Sequence, residues 1–115
     1  MRKMALYVFN GDPMCFIHVL LNTLEFKENG DDVRIVVEGA ATALVPKLAM
    51  PDNPLHSLWN KVKDAGLVDG VCKACAGKMD AKDAAVEQGL PLLDDMAGHP
   101  GMARYMNDGF EILTF

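Results

Sequence analysis

Apolar residues come along this chain in two alternating rhythms. Short, near-continuous runs rich in β-branched and aromatic residues end at turn-forming residues, and between them apolar positions recur every three or four residues. These are the spacings of buried strands and of amphipathic helices. Residues 4–9 form the first run, which Asn10-Gly11 stops too early for a helix. Asp12 then stands where an N-cap belongs, with Pro13 at the start of the helix. From there Phe16, Ile17, Leu20, Leu21 and Leu24 repeat at helical spacing up to Gly30, while Cys15, His18, Asn22, Glu25 and Asn29 make a polar opposite face.

Residues 33–37 are strongly β-branched and predict a second strand, closed by Glu38-Gly39. A weaker helix follows over residues 40–48, with Pro46 inside it, and then a loop at 50–54. Leu55, Leu58, Trp59 and Val62 predict a third helix up to Gly66, its apolar face being core or subunit interface. Residues 67–72 read as a third strand and residues 72–78 as a loop. Asp80 is placed to cap a fourth helix running to Gln88. A short fourth strand over 90–93, a last helix over 101–107 and a fifth strand over 109–115 complete the pattern, Phe110, Ile112 and Phe115 giving the last its apolar weight.

Strands that alternate with helices and read as near-continuous apolar runs predict a mostly parallel sheet of about five strands in a three-layer α/β/α sandwich. No repeat or linker interrupts residues 1–115, so a single doubly wound domain is expected. In such sheets ligands gather at the carboxyl ends of the strands, near the point where strand order reverses. That singles out residues 10–15, 38–42, 72–78 and 94–100.

Composition narrows the class of protein. Half of the 115 residues are hydrophobic, enough to build a core without metals or disulfides as staples. Sixteen acidic residues against eleven basic ones give a net charge of −5, which disfavours a generic nucleic-acid or anionic-membrane binder. The nearly uncharged stretch 14–24 is half the length of a membrane span, and the apolar start is too short for a signal peptide. Three cysteines, an odd number, fit free thiols in a reducing cytoplasm.

The most informative local feature is Cys72-Lys73-Ala74-Cys75-Ala76-Gly77-Lys78, a Cys-x-x-Cys at the end of the third strand. Three chemistries compete for it. A redox dithiol needs two sulfurs one turn apart, with Lys73, Lys78 or Lys82 to favour a thiolate, but thioredoxin-like motifs open a helix after the first strand. A zinc site needs four ligands, and Cys15, His18, His56 and His99 are on offer besides Cys72 and Cys75. Cys15 and His18 fall on the polar stripe of the first helix, so zinc needs a partner subunit and is not expected here. The third chemistry is a nucleophilic Cys72 that passes on a sulfane sulfur, with Cys75 auxiliary. Against all three stands a pair of small buried hydrophobes.

His99, in Gly98-His99-Pro100, lies near the same edge and supplies a base or hydrogen-bond partner for a thiol. Asn10, Gly11, Asp12, Gly39 and Ala40 make a small-residue loop region able to hold a ligand, although helix packing explains Gly39 and Ala40 more simply. Asp94-Asp95 reads as a cap for the last helix rather than a carboxylate pair.

With these residues in place, the chain resembles the DsrE/DsrF-like family, small α/β proteins that include sulfur-relay subunits and YchN-type proteins. The resemblance rests on order and spacing over nearly the whole chain. An opening strand leads to Asn10-Gly11-Asp12-Pro13, and residues 33–38 give the second strand; Gly70-Val71-Cys72-Lys73-Ala74-Cys75 follows the third helix, and Gly89-Leu90-Pro91-Leu92-Leu93 and Asp108-Gly109-Phe110-Glu111-Ile112-Leu113 close it. The resemblance implies a DsrE-like, flavodoxin- or Rossmann-like fold, a persulfide on Cys72 and sulfurtransferase activity. It also implies assembly into homo-oligomers such as trimers or hexamers, sulfur donor and acceptor proteins as partners, and no cofactor. Cys75 is not part of the sulfur-relay pattern. The alternatives are a non-catalytic oligomeric or small-ligand-binding protein of the same fold, or a thiol-redox or metal-binding site at Cys72 and Cys75.

Overall fold

A computed structural model describes residues 1–115. Its centre is one sheet of five strands, all parallel, in the order β4-β3-β2-β1-β5. The strands are β1 (Lys3–Val8), β2 (Asp32–Val37), β3 (Val68–Cys72), β4 (Leu92–Leu93) and β5 (Glu111–Thr114). The helices are α1 (Pro13–Glu28), α2 (Leu44–Leu48), α3 (His56–Asp64), α4 (Lys73–Lys78), α5 (Lys82–Glu87) and α6 (Ala103–Asn107).

From β1 to β4 the chain steps along the sheet in one direction, and the return from β4 to β5 crosses back past β1. Right-handed crossovers in opposite directions put their connections on opposite faces. Helices α1 to α5 accordingly bury their apolar residues on one face in a core of 22 residues, while Tyr105 of α6 with Tyr7, Phe110 and three others makes a cluster of six on the other. β1 serves both: Met4, Leu6 and Val8 point into the large core, Ala5 and Tyr7 into the small one. The three-layer α/β expectation holds, with one thick helical layer and one thin one.

Local deviations have local causes. The expected helix over 40–48 splits into a 3-10 turn (Gly39–Ala43) and α2, which leaves Pro46 in the first turn of α2 where its missing N–H is tolerated. On α1 the buried stripe is Phe16, Val19, Leu20 and Thr23, and Leu21 is 47 % exposed, one position off the expected face. Asp12 caps α1 by accepting from the Met14 N–H. Trp59 is fully buried in the large core and donates its indole N–H to Gln88.

Two expectations fail around α4. Residues 73–78 are helix, not loop. Asp80 caps nothing: it adopts φ +55° and ends α4, with the Ala81 N–H closing on the Ala76 carbonyl. This is the closure that Gly30, Gly66, Gly89 and Gly109 provide after α1, α3, α5 and α6. Aspartate tolerates the left-handed region better than most residues, so a side chain that reads as a helix start marks a helix end.

Candidate functional site

Three neighbouring strands deliver the chemistry to one place. β2 ends at Val37 and hands on to Glu38, β3 ends on Cys72, and the chain after β4 returns with His99. Cys72 sits where strand becomes helix, and the first turn of α4 brings Cys75 back over it, so that the Cys75 N–H donates to Cys72 Sγ at 3.4 Å. His99 is set by a two-residue hairpin turn: Met96 and His99 exchange backbone bonds of 2.7 and 2.9 Å across Ala97 and Gly98, both with positive φ. The turn is moored to α4 by the Ala74 N–H, which donates to the Gly98 carbonyl at 2.9 Å. Thr42, fully buried in the 3-10 turn, donates to the carbonyls of Gly39 and Cys75 and ties that turn to the same helix.

The result is a tight cluster in which the ligating atoms of Glu38, Cys72, Cys75 and His99 all lie within 4.8 Å of one another. Three of them surround a single ring nitrogen. His99 Nδ1 is 3.1 Å from Cys72 Sγ, 3.7 Å from Cys75 Sγ and 4.0 Å from a Glu38 oxygen. In a nucleophile–base–carboxylate triad the carboxylate holds the nitrogen opposite the nucleophile. Here the carboxylate and both thiols approach the same nitrogen, so the arrangement is convergent and not a relay.

Burial sets the protonation states. Cys72 is fully buried and Glu38 is 6 % exposed. Burial pushes the Cys72 thiol from 9.0 up to about 12; the Cys75 N–H pulls it down, and the neighbouring Cys75 thiol and Glu38 carboxylate add to the rise. Burial also raises the Glu38 carboxyl above its ordinary value, against a hydrogen bond with Cys72 and the nearby His99 ring. Cys75 is half-buried and the His99 side chain is 42 % exposed, so the cluster meets solvent on the histidine side.

Other candidates lie elsewhere or serve the frame. Lys73 pairs with Asp94 at 3.6 Å, and Lys78 is exposed at the far end of α4. Neither is among the main influences on the Cys72 thiol. Asn10 accepts from the Asp12 N–H, and Gly11 lies so close to Ala40 that a Cβ on it would be 2.9 Å from the Ala40 carbonyl oxygen. Asn10, Asp12 and Ala40 are exposed and lie outside the four-residue cluster, while Gly39 follows Glu38 directly, in the 3-10 turn that Thr42 ties to α4. Asp95 does not cap α6: its carboxylate accepts from the Gly101 N–H and from Arg104. Cys15 and His18 are exposed on α1, away from the cluster, and His18 lines an apolar groove of about 460 Å³ with Met14, Ile17 and Leu55. His56 bonds the Leu48 carbonyl through Nδ1. Glu38 opens the window 38–42 that the sequence selects, yet it is not among the site residues expected from it. Its signal was a lone carboxylate between the apolar strand 35–37 and the small residues 39–41.

Fold and cluster define an α/β protein with a thiol, imidazole and carboxylate centre at the carboxyl edge of its sheet. The chain is similar to a protein of Methanocaldococcus jannaschii named "Uncharacterized protein MJ0733", 36 % identical over 97 residues that cover 84 % of this chain and 77 % of that one, and it belongs to the same family. A second similar protein, from Archaeoglobus fulgidus and also named as uncharacterized, is 38 % identical over 48 residues, 42 % of this chain and 79 % of its own length. No protein-family model matches the chain, and neither does any solved structure.

Proposed function

We propose that this protein is a DsrE-like carrier of sulfane sulfur, with Cys72 as the residue that holds it. One observation carries the reading: the buried Cys72 thiol, at the carboxyl end of β3, lies 3.1 Å from the His99 imidazole. The thiol is protonated at rest, and His99 Nδ1 takes the proton as Cys72 attacks the outer sulfur of a hydropersulfide. The donor's S–S bond breaks, its thiolate leaves and recovers a proton from His99, and Cys72 is left as a persulfide. No electron is gained or lost overall. Cys75 then has two roles open to it by position: it stands aside while an acceptor thiol takes the sulfane sulfur, or it attacks Cys72 and expels hydrogen sulfide, leaving a Cys72–Cys75 disulfide.

The reading places the protein in a reducing cytoplasm, where its three unpaired thiols stay reduced. No helix is long and apolar enough to cross a membrane. It also brings the family's oligomers and the partner proteins that donate and accept sulfur.

A second reading, a non-catalytic small-ligand-binding protein of the same fold, is favoured by the high pKa of Cys72, since about 12 leaves very little thiolate near neutral pH. Intact mass decides between them. After incubation with a persulfide donor, the carrier gains one sulfur atom that mild reduction removes and that Cys72→Ser abolishes. Unmodified thiols, or a gain that persists in Cys72→Ser, overturn the carrier reading.

A further inference from the structure

We propose that Glu38, Cys72, Cys75 and His99 together bind one zinc(II) ion, a property separate from sulfur transfer. The argument is geometric. Zinc bonds of about 2.0–2.3 Å at tetrahedral angles put neighbouring ligand atoms roughly 3.3–3.8 Å apart. The distances from His99 Nδ1 to the other three ligand atoms are 3.1, 3.7 and 4.0 Å, and the whole set fits within 4.8 Å. Small side-chain rotations bring such a set onto a common centre.

Hydrogen bonding alone accounts poorly for the convergence. The Cys72 thiol has one proton, yet a Glu38 oxygen within 4.8 Å, the Gly98 carbonyl and His99 Nδ1 all lie around it. His99 Nδ1 in turn carries at most one proton for two sulfurs and a carboxylate. A cation at the centre serves all four groups at once, with both thiol protons released to solvent. The donor set of two thiolates, an imidazole and a carboxylate suits zinc rather than magnesium or calcium, which take oxygen ligands.

The frame around the ligands has the features of an outer shell. Thr42 holds the Cys75 carbonyl, Ala74 holds the Gly98 carbonyl beside His99, and the hairpin backbone fixes His99 itself. The pairing of Cys72 with Cys75 is local, one helical turn, whereas Glu38 and His99 come from far along the chain. A four-ligand site therefore exists only in the folded protein, and this separates it from zinc scavenged by a flexible Cys-x-x-Cys.

The test uses the reduced, metal-free full chain, titrated with cobalt(II) and then with zinc(II) against a chromophoric chelator. The expected result is one ion per chain, thiolate-to-cobalt charge transfer with the visible bands of a tetrahedral site, and at least tenfold weaker zinc binding in Glu38→Gln, Cys75→Ser and His99→Ala. Circular dichroism of each metal-free variant reports its fold, and Glu38→Gln and Cys75→Ser change side-chain volume so little that the comparison does not rest on His99→Ala alone. No tetrahedral cobalt spectrum at one equivalent overturns the proposal. So does zinc affinity within twofold of the parent in a folded Glu38→Gln or His99→Ala, which reduces binding to the thiol pair. Sulfur loading is read on the same metal-free variants by intact mass. The parent chain separates the two properties: zinc bound with no sulfur taken up overturns the carrier reading alone, and sulfur taken up with no zinc bound overturns this proposal alone.

Discussion

The turn that presents His99 has an alanine where the backbone asks for something else. Ala97 and Gly98 have φ of +51° and +91° between Met96 and His99, which exchange two backbone hydrogen bonds. A two-residue hairpin loop with both central residues left-handed favours Asn-Gly. Alanine in this region costs about 1–2 kcal/mol because its Cβ crowds the following carbonyl. Residue 97 is exposed, so a substitution there changes the turn and little else. Ala97→Asn should recover part of the strain, about 0.5–1 kcal/mol, since asparagine visits this conformation more readily. Ala97→Gly removes the crowding but gives the unfolded chain about 0.5–1 kcal/mol of extra freedom, so its net gain is about 0.5–1 kcal/mol, comparable to that of asparagine. Ala97→Val should lose stability. Urea unfolding with the m-value unchanged measures the order, and 1 kcal/mol corresponds to a Tm shift of about 4 °C for a chain of this size. The order Ala above Asn, with Gly lowest, is what a turn with negative φ at residue 97 would give, and it would refute this account of how His99 is held.

Two further substitutions probe the frame and the site. At Gly70 on β3 a Cβ would sit 2.6 Å from Leu93 Cγ and 2.8 Å from the Pro91 carbonyl oxygen, and the backbone oxygen cannot swing aside. Gly70→Ala should therefore part β3 from β4 and cost about 1–3 kcal/mol in urea unfolding, whereas a change under about 0.5 kcal/mol would mean that this strand pair is loose. At Glu38 the folded pKa is raised by burial, so the folded state binds the proton more tightly than the unfolded chain does. The stability this brings is present below the ordinary carboxylate range and lost as pH rises through the folded value. In metal-free protein Glu38→Gln should thus gain on the parent at neutral pH and show no gain near pH 4; a loss at neutral pH would mean that its hydrogen bond with Cys72 outweighs desolvation.

The fold was legible because its two periodicities do not overlap. The β-branched run 33–37 and the apolar run 4–9 emerge as β2 and β1, and Asp12-Pro13 opens α1 as its chemistry requires. What did not emerge depends on tertiary context. The second face of the sheet is covered by α6 alone, which follows from the direction of the last crossover and not from any local pattern. α4 was missed because its six residues include Gly77 and carry no apolar repeat; it is held by Ala76 in the core and by the left-handed stop at Asp80.

The site was half legible for a related reason. Reading chemistry at the carboxyl ends of parallel strands selected windows that hold all four clustered residues, and the Cys-x-x-Cys drew attention to two of them. The strand order then moves the focus: it reverses between β1 and β5, yet the thiols lie at β3, between the ends of β2 and β4. Residues 10–12, which sit at the reversal, are absorbed in capping and close packing, while Glu38, one strand from Cys72, becomes the thiol's nearest carboxylate. A carboxylate at that place has a definite consequence. It raises the pKa of a buried thiol and so works against a free thiolate nucleophile, but the same negative charge strengthens the hold on a cation. If both proposals hold, sulfane sulfur and zinc compete for Cys72, and Glu38→Gln should move the two in opposite directions, easing thiolate formation while weakening metal binding.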